Sequence, residues 1–208
     1  RECVGAPVAG DEARCRQLIV DLYLAAHSSS TICDQVLAAA FQEVGHRWEC
    51  GDAEVFQERR GCELALRVMY ELRSLVPAPP AAAPVAIGGS PAGDPYNLAT
   101  TMVELVLRDT QWNATSLGDN LPFDTLAAAI RTHRPRMFWL SCSHLTDEAA
   151  FLAGYGQLFD EFGLEVAFSV GGRALTEPLR RKMKYAAYCD NMQHLEAFAR
   201  TLQGQSTA

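Results

Sequence analysis

Between Val85 and Asp119 the chain writes out one supersecondary unit. A short apolar run, Val85-Ala86-Ile87, stops at Gly88-Gly89 and is followed by a turn rich in Gly, Pro and Asp. Leu98, Met102, Leu105 and Val106 then recur at helical spacing, and a second apolar-alternating run, Ala114 to Leu117, ends at Gly118-Asp119. Strand, glycine turn, helix and strand make a βαβ unit, which requires a parallel sheet and a right-handed crossover. Ligands of such sheets lie beyond the carboxyl ends of the strands, so binding chemistry is expected between Gly88 and Tyr96.

The alternation continues to the end of the chain. Strands are expected at 85–87, 114–117, 136–141, 165–170 and 186–188, and helices at 97–109, 123–132, 147–162, 177–183 and 192–202. This pattern predicts an α/β fold, a doubly wound parallel five-stranded Rossmann-like (flavodoxin-like) domain over 85–204. Residues 11–76 differ in kind. Apolar positions at three- and four-residue steps predict a helix from about Asp11, another over Ile32 to Trp48, and a long one over Asp52 to Leu75, together a small helical bundle. The serine run Ser28-Ser29-Ser30 reads as the stop of the first helix and the cap of the second. Between bundle and sheet, Pro77, Pro79, Pro80 and Pro84 make 77–84 a Pro/Ala linker, because proline lacks the helix donor and clashes with the preceding turn.

Composition narrows the function. A net charge of −7 argues against a nucleic-acid grip by this chain itself, since phosphates need a basic face. No apolar run approaches the roughly 18 residues that span a bilayer, so no membrane partner is expected. The 7 cysteines form no CxxC pair and read as reduced, mostly buried thiols of a cytoplasmic protein. The 5 histidines show no ligand spacing, so no metal-ligating residue is assigned. Ser141-Cys142-Ser143-His144 offers a nucleophile beside a base, but adjacent strand residues point to opposite faces and no G-x-S-x-G elbow is present. No catalytic residue is assigned, and the chain is read as a non-enzyme. The Gly88-Gly89-x-x-x-Gly93 loop lacks both the dinucleotide spacing and the P-loop lysine.

A helical bundle, a proline-rich linker and a five-stranded α/β domain, in that order, resemble the cobalamin-binding region of methionine synthase. They resemble more closely the sensory region of MerR-type light-sensing cobalamin-dependent transcriptional repressors. Gly45-His46-Arg47-Trp48 with Gln57-Glu58-Arg59 carries the resemblance in the bundle. Asp94, Ser141-Cys142-Ser143 and Gly171-Gly172 carry it in the α/β domain. The resemblance implies that Trp48 covers the upper face of the cofactor with Glu58 close by. It also implies that Asp94 and Tyr96 stand at the lower side, and that Ser141, Ser143, Gly171 and Gly172 lie beside a buried nucleotide tail. A ligand held between bundle and Rossmann-like domain is the expected arrangement. Expected partners are cobalamin or a related tetrapyrrole, a second copy of the chain, and DNA only through an upstream domain, because the sequence starts at Arg1 rather than Met.

Two positions depart from the family pattern. Its Asp-x-His-x-x-Gly becomes Asp94-Pro95-Tyr96-Asn97-Leu98-Ala99, and Arg59 stands where the bundle histidine is expected. A phenol with a pKa of about 10 is a poor replacement for an imidazole on cobalt. Three readings stay open: cobalamin held without a protein ligand, its tail base kept on cobalt or inserted beside Ser141 and Gly171; another ligand such as heme; or a cofactor-free interaction module. A corrinoid carrier for methyl transfer is the enzymatic alternative. Plainer accounts exist as well, with Trp48 as bundle core, Glu58 on a charged helix face, Asp94 as a helix cap and Gly171-Gly172 as a tight turn.

Overall fold

The computed structural model describes residues 12–41 and 55–205, the side chains at 55, 57 and 58 excepted, and divides into two compact units, Arg1–Pro77 and Ala78–Ala208. The first unit is helical. Helix α1 spans Glu12–Leu24. Helix α2, Ser29–Ile32, runs directly into a π-helical turn, Cys33–Ala38. Helix α3 spans Val55–Leu75. The serine run separates two helices and caps the second as expected, but the second helix begins within the run. Ser28 accepts a hydrogen bond from the Thr31 N–H at 3.2 Å, and Ser29 and Ser30 are already buried helix residues. A serine cap lets the chain re-enter a helix at once, so α2 starts three residues before Ile32. Cys15 and Ile19 of α1, Ile32, Cys33 and Leu37, and Leu64, Met69 and Leu72 of α3 form the buried side of this unit. Glu12 bridges Arg60 and Arg67, and Arg16 pairs with Glu71; all are half exposed and add little to stability.

The second unit is a five-stranded, wholly parallel sheet in the order β2-β1-β3-β4-β5. Its strands are β1 Val85–Gly89, β2 Asn113–Ser116, β3 Met137–Ser141, β4 Ala167–Gly171 and β5 Ala187–Tyr188. Helices α4 Leu98–Asp109, α5 Phe123–His133, α6 Glu148–Phe162, α7 Glu177–Arg180 and α8 Met192–Gly204 alternate with them. This is the doubly wound, flavodoxin-like order expected from the sequence. Helix α7 is shorter than expected, because Lys182 and Met183 bond back to Leu179 and Arg180 in three-residue turns instead of continuing the helix. Strand β1 runs through Gly88 and ends at Gly89 instead of stopping before the pair, while Gly171 closes β4 as expected.

The two faces of the sheet are built from different chemistry. On one, Ile87, Phe138, Leu140, Phe168 and Val170 meet Leu126, Ile130, Phe151, Tyr155 and Leu158 of α5 and α6 in one apolar core. Phe138 and Phe168 pack with ring centres 5.2 Å apart. On the other, the strand register lines up Gly88, Trp139 and Ser169 in one row. Trp139 is 2% exposed, and its indole N–H donates to Thr100 Oγ1 of α4 at 2.9 Å. Thr100 in turn lies 3.2 Å from Ser116 Oγ on β2. Gly88 exists for this indole, since a Cβ there would fall 2.3 Å from Trp139 Cδ2 and 2.1 Å from its carbonyl oxygen.

Truncating such a side chain leaves a cavity that the sheet cannot close. Trp139→Ala is expected to cost about 3–5 kcal/mol of unfolding free energy in urea titrations. Trp139→Phe loses chiefly the Thr100 bond and is expected to cost well under half as much.

Candidate functional site

The strand order reverses between β1 and β3, and the loops that leave their carboxyl ends form the candidate site. Its centre is Asp94, which is fully buried. A buried carboxylate is costly unless both oxygens are satisfied. Here Oδ1 accepts from the Tyr96 N–H at 3.1 Å, and Oδ2 accepts from the Ser143 N–H. The first bond curls the β1–α4 loop into an Asx turn, and the second ties that loop to the end of β3. The backbone of Asp94 is held too, its N–H by the Pro91 carbonyl and its carbonyl by the Asn120 N–H. Asn120 reaches back through Oδ1, 2.8 Å from the Gly93 N–H. Ser90 completes the loop by donating its hydroxyl to the Tyr96 carbonyl at 3.2 Å. Asp94 therefore does not cap α4; the sequence-based cap account is replaced by a cross-loop brace, and Asn97 precedes α4 without a side-chain cap bond.

Tyr96 is half buried, and the guanidinium of Arg173 lies 5.5 Å from its ring centre. Arg173 also donates through Nε to the Ser143 carbonyl at 3.1 Å, which joins the β4 loop to the β3 loop. The structure brings Tyr96, Asp94 and Ser143 together, and Arg173 is a fourth member that the sequence did not single out. Its exposed side chain after Gly171-Gly172 resembled any solvated arginine; the loop contacts distinguish it. Ser141 is nearly buried at the end of β3, on the Trp139 side of the sheet.

The glycine pair at the end of β4 is packed against protein. A Cβ on Gly171 would lie 2.6 Å from the Cys189 carbonyl oxygen, and one on Gly172 would lie 2.2 Å from that of Cys142. Gly172 also has φ +107°, a left-handed conformation that disfavours every residue with a Cβ. Gly172→Ala is therefore expected to lower the melting temperature of ligand-free protein, a shift that calorimetry will resolve. An unchanged midpoint would mean that the loop is held by something other than this packing.

Cys142 is no nucleophile. Burial, with a smaller contribution from the charge of Asp94, pushes its thiol up to about 12. Its Sγ–H points to the His144 carbonyl at 3.6 Å, not to the imidazole. The protonated thiol is the folded form, so this contribution to stability is complete below the ordinary value of 9.0 and is lost as pH rises through about 12. Cys142→Ala is expected to flatten the fall in stability over that window, and native Cys142 is expected to resist alkylation at pH 8. Rapid labelling of Cys142 in folded protein would contradict the burial argument.

Beyond β3 and β4 lies an open cleft of about 500 Å³ whose walls include Ser143, His144, Thr146, Glu148, Arg173 and Thr176. Among the described residues no group of three or more His, Cys, Asp or Glu is arranged to hold a metal ion. No helix among them is long and apolar enough to cross a membrane. Trp48 lies outside the described residues. Glu58 and Arg59 belong to α3, where the Glu58 side chain is outside the description and Arg59 is exposed.

Residues 1–73 match the family model described as the B12 binding domain. Solved structures that share the fold include the following three. The monomethylamine corrinoid protein of Methanosarcina barkeri superposes with a TM-score of 0.81 at 16% identity, over 97% of each chain. The methanol:cobalamin methyltransferase complex MtaBC of the same organism gives 0.53 at 17% identity, over 97% of this chain and 78% of that one. A cobalamin-binding protein of Desulfitobacterium hafniense DCB-2 gives 0.50 at 12% identity, over 97% of both. No curated protein matches the sequence. The family match supports a cobalamin-binding module, and the solved structures show its fold.

Proposed function

We propose that this cobalamin-binding module works as a non-enzymatic sensory region of a transcriptional regulator, with the corrinoid seated over the carboxyl edge of the parallel sheet. One observation carries the choice of a sensor. The loop that meets the ligand is built around Asp94 and offers the phenol of Tyr96 where the resemblance leads one to expect an imidazole. A neutral phenol is a weak ligand for cobalt, so the loop supplies no strong axial donor. Cobalt cycling between oxidation states in methyl transfer is served by a protein donor that steadies it, whereas binding that only reports the presence of the cofactor is not so dependent. Tyr96, braced by Arg173 and by the Asp94 turn, provides a rigid, partly apolar platform for a planar ligand. The regulatory role itself rests on the resemblance of the bundle-plus-sheet order to the MerR-type sensors.

A sensor must bind its ligand differently in two states, and self-association is the state proposed to change here. Protein incubated with adenosylcobalamin in the dark and then desalted is expected to carry the corrin absorption at near one equivalent. Its sedimentation coefficient is expected to differ from that of the colourless form. Colour without any change in sedimentation would remove the sensory mechanism while leaving cobalamin binding in place. Colourless protein after incubation with both adenosyl- and methylcobalamin would remove cobalamin itself and turn the reading towards heme or a cofactor-free interaction module.

The second reading, a corrinoid carrier, is favoured by the match in length and fold to the monomethylamine corrinoid protein. It requires that bound cobalt be reduced and methylated in turn. Spectra taken during reduction and addition of a methyl donor decide between the two readings, with no turnover expected here.

A further inference from the structure

Resting on the cobalamin reading above, the geometry points to a module that takes cobalamin with its own tail base retained on cobalt, because the sheet face that could receive the tail is already filled by Trp139. The nearly buried Ser141 and the glycines Gly171 and Gly172 at the end of β4 are the two places that the resemblance marks for a buried tail. Both are packed against protein. The Cβ directions of Gly171 and Gly172 are closed by the carbonyls of Cys189 and Cys142, which leaves no cradle on that side of either glycine. The strand row beside Ser141 holds the indole of Trp139 against Gly88, with its N–H satisfied by Thr100. Ser169, the next residue along that row, contacts Cys189 at 3.4 Å, so the β4 side of the same face is occupied as well. To admit a benzimidazole-sized group, the sheet would have to expel a fully packed tryptophan and break its hydrogen bond to Thr100.

The loops make the same selection from outside. Tyr96 stands where a protein imidazole would displace the cofactor's base, and it has no nitrogen to offer. Displacement of the tail therefore gains neither a new axial bond nor a pocket. The open ground is the cleft beyond β3 and β4, with Ser143, Thr146, Arg173 and Thr176 on its walls. A corrinoid lying on that edge keeps its tail on the solvent side of the sheet. Trp139 is, in this account, a specificity-determining residue that closes the fold to tail insertion.

Electron spin resonance of the cob(II)alamin complex tests the proposal on the intact chain. Protein grown on 15N and loaded with unlabelled cob(II)alamin is expected to show nitrogen triplets on the cobalt lines, since the 14N of the cofactor's own base remains bound. Doublets would mean that a protein nitrogen, such as that of His144 on the cleft wall, had displaced the base. Lines without nitrogen splitting would mean a base off cobalt. Either result overturns the inference and leaves cobalamin binding intact. A second readout does not depend on the cobalt. The Trp139 indole N–H resonance, identified by its loss in Trp139→Phe, is expected to keep its position and slow exchange when diamagnetic hydroxocobalamin is added. Its displacement or rapid exchange on loading would show that the plug moves to admit the tail. Failure to bind any corrinoid overturns the functional reading and this inference together.

Discussion

The carboxylate of Asp94 is the constraint on which the carboxyl edge of the sheet depends. Among the described residues no charged group pairs with it, and it is satisfied by two backbone N–H groups that belong to different loops. Such a group is stable only while both loops keep their shape, so the β1 and β3 loops are held to one arrangement. Tyr96 and Ser143 are the donors, so the backbone of both is firmly set. Arg173 extends the brace to the β4 loop through Ser143 and Tyr96. The edge is therefore preorganised, and binding there need not pay to order it.

The two faces of the sheet divide the remaining work. The Phe138–Phe168 side is an ordinary apolar core under α5 and α6, and supplies most of the burial. The Trp139 side is smaller in scale and more polar, with glycine, serine and threonine fitted around one indole. Small residues on a sheet face signal that something large lies against them. In this chain the large group is a side chain of the protein's own β3.

For function, the chain shares its scaffold with a corrinoid protein, and the proposal is that Trp139 closes its interior to the tail. The edge loops carry the Asp94 brace, and in the proposed reading the phenol of Tyr96 faces the metal and the indole of Trp139 stands where the tail would go. Binding and redox chemistry are separable on such a fold, because the first needs a shaped edge and the second needs a strong axial donor. The proposed sensor uses the former alone.

The period of the sequence determined the architecture. Alternation of apolar strands with amphipathic helices after Pro84 led to five parallel strands, and each lies within about two residues of its expected place, since hydrophobic period and turn residues are local properties. The helical nature of the first unit was legible for the same reason, although the Ser28 cap started α2 earlier than the apolar pattern did. The neighbourhood of Asp94, Tyr96 and Ser143 was legible too, because strand ends of a doubly wound sheet converge. What the tertiary structure alone decided is what fills the space between elements. Whether Gly88, Gly171 and Gly172 open a cradle or close on protein depends on the Trp139 ring and on the Cys189 and Cys142 carbonyls, all distant in sequence or on another strand. A sequence shows where a Cβ is missing; only the packed chain shows which atoms have taken its place.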